Sequence, residues 1–184
     1  MRLLLLSLLA LAACNGGVHR EGDRMFVARG LFTAHPIKGN AIAWNGERDN
    51  EYFGAGVGNY WFVRDRVALG VLASVFNVQY GGDNILVGQV ELAHRWYLFE
   101  HEKFAYFWDS HAGFLYGEDN FPEGATRHEA TFAFGPGMEI PLSERNRLLA
   151  GIQFHHASNA RGRAADDNPS QNDLRIWLAW GFKW

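Results

Sequence analysis

His156 and Ser158 stand two residues apart, an imidazole and a hydroxyl within reach of each other. They lie in Phe154-His155-His156-Ala157-Ser158-Asn159, which reads as the end of a strand, with Asn172 opening the next. Alternate side chains of a strand share a face and lie about 6.6 Å apart along it, so an imidazole at 156 can reach a hydroxyl at 158. This is the minimum arrangement of a base-activated serine nucleophile.

Parity says where the pair points. Leu148, Ala150, Ile152 and Phe154 lead on one face into His156 and Ser158, against Gly151, Gln153 and His155 on the other. In the last stretch the even positions Leu174, Ile176, Leu178, Trp180, Phe182 and Trp184 are apolar, while the odd ones include Asp173, Arg175, Gly181 and Lys183. The His/Ser pair therefore ends an apolar face. His155 has the opposite parity and reads as a lumen or rim residue.

Strands carry this pair. Alternating segments recur at 24 to 34, 51 to 63, 66 to 79, 85 to 99, 103 to 117, 127 to 140, 147 to 158 and 172 to 184, with turn signals between them. The fold class is all-β, an eight-stranded antiparallel outer-membrane β-barrel. Short links stand at Arg64-Asp65, Glu100-His101-Glu102 and Pro141 to Asn146, whereas the first and second, fifth and sixth, and seventh and eighth segments have longer ones. Tight periplasmic turns and longer outer loops give this pattern, with both termini in the periplasm.

In the fourth segment Leu86, Val90, Leu92, Trp96 and Leu98 alternate with Gln89, Glu91 and Arg95. An eight-stranded barrel has an interior only wide enough for side chains, so Glu91, Arg95, Asp109 and His111 are expected to form a packed polar core. Tyr60-Trp61-Phe62, Trp96-Tyr97, Phe104, Tyr106-Phe107-Trp108 and Trp180-Phe182-Trp184 crowd the periplasmic strand ends, as an interfacial aromatic girdle does. A soluble barrel of the lipocalin kind would reverse the faces. The polar face of the fourth segment and the aromatic rim favour the membrane.

A chain of 184 residues with net charge −3 suits a single domain and suggests no nucleic-acid partner. Arg2 and the apolar run Leu3 to Cys14 read as an export signal over residues 1 to 14, too short for a spanning helix of about 20 residues. Leu11-Ala12-Ala13-Cys14 resembles a lipoprotein signal, which implies Cys14 as an acylated N-terminus, residues 15 to 23 as a periplasmic tether and 24 to 184 as the barrel. The alternative is an ordinary cut at Ala10-Leu11-Ala12. Cys14 is the only cysteine, so there is no intrachain disulfide. His35, His94, His101 and His128 lack metal-ligand spacing, and neither metal nor cofactor is expected.

In this topology His156, Ser158 and Asn172 lie at the extracellular end, facing lipid. A polar cluster there costs free energy unless compensated. Its natural partner is a lipid of the outer leaflet, in a bacterial outer membrane the lipid A of lipopolysaccharide, and a Ser/His pair beside it suggests ester hydrolysis. At these residues the sequence resembles the PagL-type lipid A 3-O-deacylases, or acyloxyacyl hydrolases. Those are eight-stranded outer-membrane barrels of this length with His-x-Ser-Asn near the C-terminus, followed by an Asn-x-Gly-x-acid stretch. Here the two stand as His156-Ala157-Ser158-Asn159-Ala160 and Asn168-Pro169-Ser170-Gln171-Asn172.

The resemblance implies Ser158 as nucleophile, His156 as general base and acid, and Asn159 and Asn168 as oxyanion or substrate contacts. The family's acid falls on Asn172, and Ser170 replaces its glycine after a slightly longer loop. Asn172 offers a carbonyl oxygen of the right parity. Asp166 and Asp167 in the loop are the alternative third members, and Asp173 points to the lumen unless a bulge rotates it. The expected activity is hydrolysis of the 3-position acyl ester of lipid A. The rival is a non-catalytic small barrel, an adhesin or structural protein.

Overall fold

A strand exposes alternate side chains to opposite faces, so a chain alternating large apolar with polar residues can close a sheet around its polar face only where the outside is not water. The computed structural model describes residues 19–37, 39–41, 44–46, 51–80, 83–120, 126–159 and 170–184. The strands are β1 (Arg24–Pro36), β2 (Gly39–Ala41), β3 (Trp44–Gly46), β4 (Glu51–Arg64), β5 (Val67–Tyr80), β6 (Asp83–His101), β7 (Phe104–Gly117), β8 (His128–Pro141), β9 (Asn146–Ser158) and β10 (Gln171–Lys183). Eight of them close an antiparallel barrel in the order β1-β10-β9-β8-β7-β6-β5-β4, with β1 hydrogen-bonded to both β10 and β4.

The eight segments expected from alternation are these eight strands. The small β2–β3 ribbon in the first long link carries too few residues to show a period. β5 and β6 extend to Tyr80 and Asp83, which pair, so that outer connection is short as well. At the other end Arg64 pairs with Val67 and His101 with Phe104, giving tight turns; Arg66 takes the left-handed conformation in the first.

The faces divide as membrane physics requires. Leu92, Phe114, Val90 and Leu178 point outward and are exposed, whereas Arg29, Glu91, Arg95, Asp109, His111 and Arg175 are buried in the lumen. Water would penalise both halves of that arrangement and a bilayer neither. The expected four-residue polar core is present, and Arg29 and Arg175 extend it. Glu91 receives Arg29, Arg175 (3.2 Å) and His111 (3.3 Å), while Arg95 grips Asp109 through Nε and Nη2 at 2.7 and 2.8 Å. Room for Arg29 comes partly from Gly56, where a Cβ would stand 2.2 Å from Ser74 Oγ, the hydroxyl that accepts from Arg29 at 2.9 Å.

The aromatic girdle needs correction. Trp61, Trp96, Tyr106, Trp108, Trp180 and Trp184 do face outward, but Tyr60, Phe62, Tyr97 and Phe107 are buried inside. Neighbours along a strand alternate faces, so one cluster in sequence becomes two in space. Two of the inner set flank the Arg95 guanidinium, whose Cζ lies 4.2 Å from the Tyr60 ring centre and 4.0 Å from that of Phe107. His19 closes the same end. Its ring stacks on Phe62 at 4.3 Å and 5°, and its Nε2 lies 2.9 Å from Glu139 Oε1. The described part of the stretch read as a tether, from His19 onward, is thus docked into the turn end of the barrel. Residues 1 to 18, Cys14 among them, lie outside the described residues.

Candidate active site

β9 and β10 bring the two halves of the candidate site together. Their register sets Asn172 opposite His156 and Leu174 opposite Phe154, so the parity expected from sequence is realised across strands as well as along one. His156 Nε2 stands 3.1 Å from Ser158 Oγ, and His156 Nδ1 stands 2.7 Å from Asn172 Oδ1. The amide oxygen accepts from Nδ1–H, which leaves the lone pair on Nε2 directed at the serine hydroxyl. Such an imidazole can take the proton from Ser158, and Asn172 holds it in the necessary tautomer.

The site lies on the outward face yet is covered. Ile152, two steps below on the same face, is 49 % exposed, but His156 is 7 % exposed, Ser158 8 % and Asn172 0 %. The polar groups expected on this face are therefore shielded rather than laid bare on it. Phe132 of β8 is the cross-strand partner of His156, and Ala130 that of Ser158. From Phe132 a line of rings runs down the wall, Phe132 to Phe134 at 5.5 Å and Phe134 to Phe154 at 5.4 Å. The relay thus stands, shielded, at the top of an apolar, aromatic wall.

Asn159 follows Ser158 at the end of β9 and is half-buried. Asn168, Asp166 and Asp167 lie outside the described residues. Asp173 faces the lumen, as its parity requires, and no bulge interrupts β9 and β10 around it. His155 is likewise a lumen residue.

A cluster that sequence reading missed lies directly behind the relay. Asp173, opposite His155 in the register, accepts from the Tyr52 hydroxyl at 2.9 Å, from His155 Nδ1 at 3.2 Å and from Gln171 Nε2 at 3.3 Å. The odd parity of His155 and Asp173 was a readable signal for two members. Tyr52 sits on β4 and becomes a neighbour only through barrel closure. Among the described residues no group of three or more His, Cys, Asp or Glu side chains could hold a metal ion.

No protein-family model matches the chain, and no curated protein matches it. Solved structures do. Neisserial surface protein A is similar with a TM-score of 0.60 and 8 % identity, over 89 % of this chain and 98 % of that one. The outer membrane protein OprG from Pseudomonas aeruginosa gives 0.55 and 12 %, over 90 % and 97 %. The fold is that of small outer-membrane barrels. Ail, the attachment invasion locus protein of Yersinia pestis, is similar at 0.53 and 10 %, over 89 % and 99 %. At these identities the likeness is one of architecture, that of barrels of the bacterial outer membrane, in which tight turns face the periplasm.

Proposed function

We propose that this barrel is an outer-membrane lipid A 3-O-deacylase, a serine esterase that removes the ester-linked acyl chain at the 3-position. The observation that carries the reading is the hydrogen-bonded line Asn172–His156–Ser158 at the loop end of the outward face. Ser158 Oγ attacks the ester carbonyl while His156 Nε2 takes its proton. The oxyanion collapses, the C–O bond to the sugar breaks, and His156 returns the proton to the departing sugar oxygen. Water, deprotonated by His156, then cleaves the acyl-serine to free fatty acid. Asn159 is the proposed oxyanion contact. The aromatic wall below His156 suits an acyl chain already lying in the membrane, and the choice of the 3-position rests on the family resemblance.

Lipid A from cells making the protein, compared by mass spectrometry with lipid A from cells making Ser158→Ala, tests the reading. It expects loss of one hydroxyacyl chain with the first and none with the second. Identical lipid A from both would refute it.

A second reading is favoured by the fold comparison, which includes an attachment protein of Yersinia pestis, and by the amide at position 172. In it the barrel is a non-catalytic surface protein, adhesive or structural, that keeps the relay without the charge of a full triad. Unmodified lipid A in cells with abundant, folded protein is its expected result.

A further inference from the structure

We propose that Tyr52, His155 and Asp173 are positioning residues that clamp the β9–β10 hairpin from inside the lumen in the register that sets Asn172 opposite His156. The role rests on the esterase reading for its consequence, though not for its geometry. The two pairs stand back to back: His156 faces Asn172 on the outer side and His155 faces Asp173 on the inner side, one residue apart on both strands. A one-residue slip of β10 would put Asp173 or Gln171 opposite His156 and exchange the faces of the strand. What resists the slip is therefore what keeps the relay assembled.

On the outer side the strands present mainly the apolar Phe154, Ile152, Leu174 and Leu178; beside the His156–Asn172 bond itself, the directional contact there is Trp180 Nε1 to Asn146 Oδ1 at 3.1 Å, at the far end of the hairpin. The inner side fixes one carboxylate with three donors. Tyr52 gives Oδ1 a 2.9 Å bond, and His155 and Gln171 reach Oδ2 at 3.2 and 3.3 Å. Asp173 is 0 % exposed and so shielded from bulk solvent. Tyr52 belongs to β4, which lies beyond β1 from β10 in the closed order, so the bond ties the hairpin across the seam where the first and last strands meet. The Tyr52 ring is itself held edge-on against Phe76 at 5.1 Å. The other nitrogen of His155 faces the Gln89 amide at 3.5 Å, and that amide is anchored by Thr131 at 3.0 Å. A buried carboxylate bonded in this way has one low-energy place to sit.

The test uses the full chain in detergent micelles with nitrogen-15-labelled histidine, the His156 signals being assigned by their loss in His156→Gln. Wild type is expected to show the Nδ1–H tautomer at His156. Tyr52→Phe removes the donor to Asp173 together with the hydroxyl's 3.3 Å contact to His155 Nδ1, and keeps the ring. It is expected to mix the two tautomers and, with lipopolysaccharide in the micelles as substrate, to lower kcat about tenfold with KM little changed, since a misplaced base costs rate rather than binding. Tyr97→Phe is the control: it removes a buried tyrosine bond to Glu139 (2.5 Å) at the far end of the barrel and should move neither readout.

Asp173→Asn should act as Tyr52→Phe does; if it fails to fold, Tyr52→Phe carries the test alone. A wild-type His156 signal and a wild-type kcat in folded Tyr52→Phe overturn the clamp while leaving the esterase reading in place. Should wild type hydrolyse nothing while Tyr52→Phe still mixes the His156 tautomers, the clamp stands and the esterase reading falls.

Discussion

Asn172 Oδ1 lies 2.7 Å from His156 Nδ1, on the far side of the ring from Ser158 Oγ. An amide in that place supplies direction without charge. It fixes the tautomer that a general base needs, but gives the imidazolium formed in the transition state no ionic partner. Replacing the carboxylate of a serine triad by its amide can cost about 10⁴ in rate.

Asn172→Asp, which keeps the shape and restores the charge, is therefore expected to raise the rate of lipid A deacylation. It should also lower unfolding stability, because Asn172 is fully buried and a charge placed there must be desolvated. Asn172→Leu leaves Nδ1 without that acceptor and should reduce the rate sharply. Deacylation time courses on purified variants decide it. A harmless Asn172→Leu together with a crippling Asp166→Asn or Asp167→Asn would make a loop carboxylate the third member instead.

Ser158→Ala and His156→Ala should each abolish deacylation, and the double variant should be little worse than either, because the two act as one unit. Both should remain heat-modifiable on gels, since neither side chain contributes to the lumen network. A Ser158→Ala barrel that still releases hydroxyacyl chains would remove Ser158 from the chemistry.

The strands were legible because a closed barrel imposes a period of two on every wall residue, and the tight turns at Asp65 and at Glu102 interrupt it cleanly. The outer relay was legible in part: parity puts His156, Ser158 and Asn172 on one face, while the choice of Asn172 as third member came from the family resemblance and its place opposite His156 from the register. Its burial was not, because a period assigns a face and says nothing of what stands over it. Nor was the inner cluster, since Tyr52 meets Asp173 only after β1 has joined the first wall to the last. The aromatic rim misled because Trp61 and Phe62, adjacent in sequence, leave the strand in opposite directions. His19 gave no signal, being one inserted residue with no repeat around it.

The lumen network makes a stability prediction. Glu91 meets both Arg29 and Arg175, and all three are buried. Glu91→Gln keeps the volume and removes the charge, leaving two buried guanidiniums short of a counter-ion. Breaking a buried pair by removing one partner costs about 3–5 kcal/mol. Urea unfolding from micelles, followed by tryptophan fluorescence, should register a loss of that order. An unchanged midpoint would mean that water enters the lumen and solvates the arginines.

His19 tests whether the segment before β1 belongs to the barrel. Its ring is fully buried between Phe62 and Tyr97, at 4.3 and 4.4 Å, its Nε2 meets Glu139 at 2.9 Å, and its backbone N–H donates to Glu100 at 3.2 Å. Glu139 keeps Tyr97 and Arg147 when the imidazole is removed, so His19→Ala chiefly loses ring packing and leaves a cavity. Truncating a buried aromatic ring to alanine costs about 3–5 kcal/mol, and a smaller imidazole at the mouth should cost about 2–4 kcal/mol. His19→Phe restores the stack without the Glu139 bond and should fall between wild type and His19→Ala in urea unfolding. Deacylation should be unchanged in both, because Ser158 sits at the opposite end. Unfolding midpoints equal to wild type in both variants would show that the segment merely rests in the mouth and that the barrel is complete from Arg24.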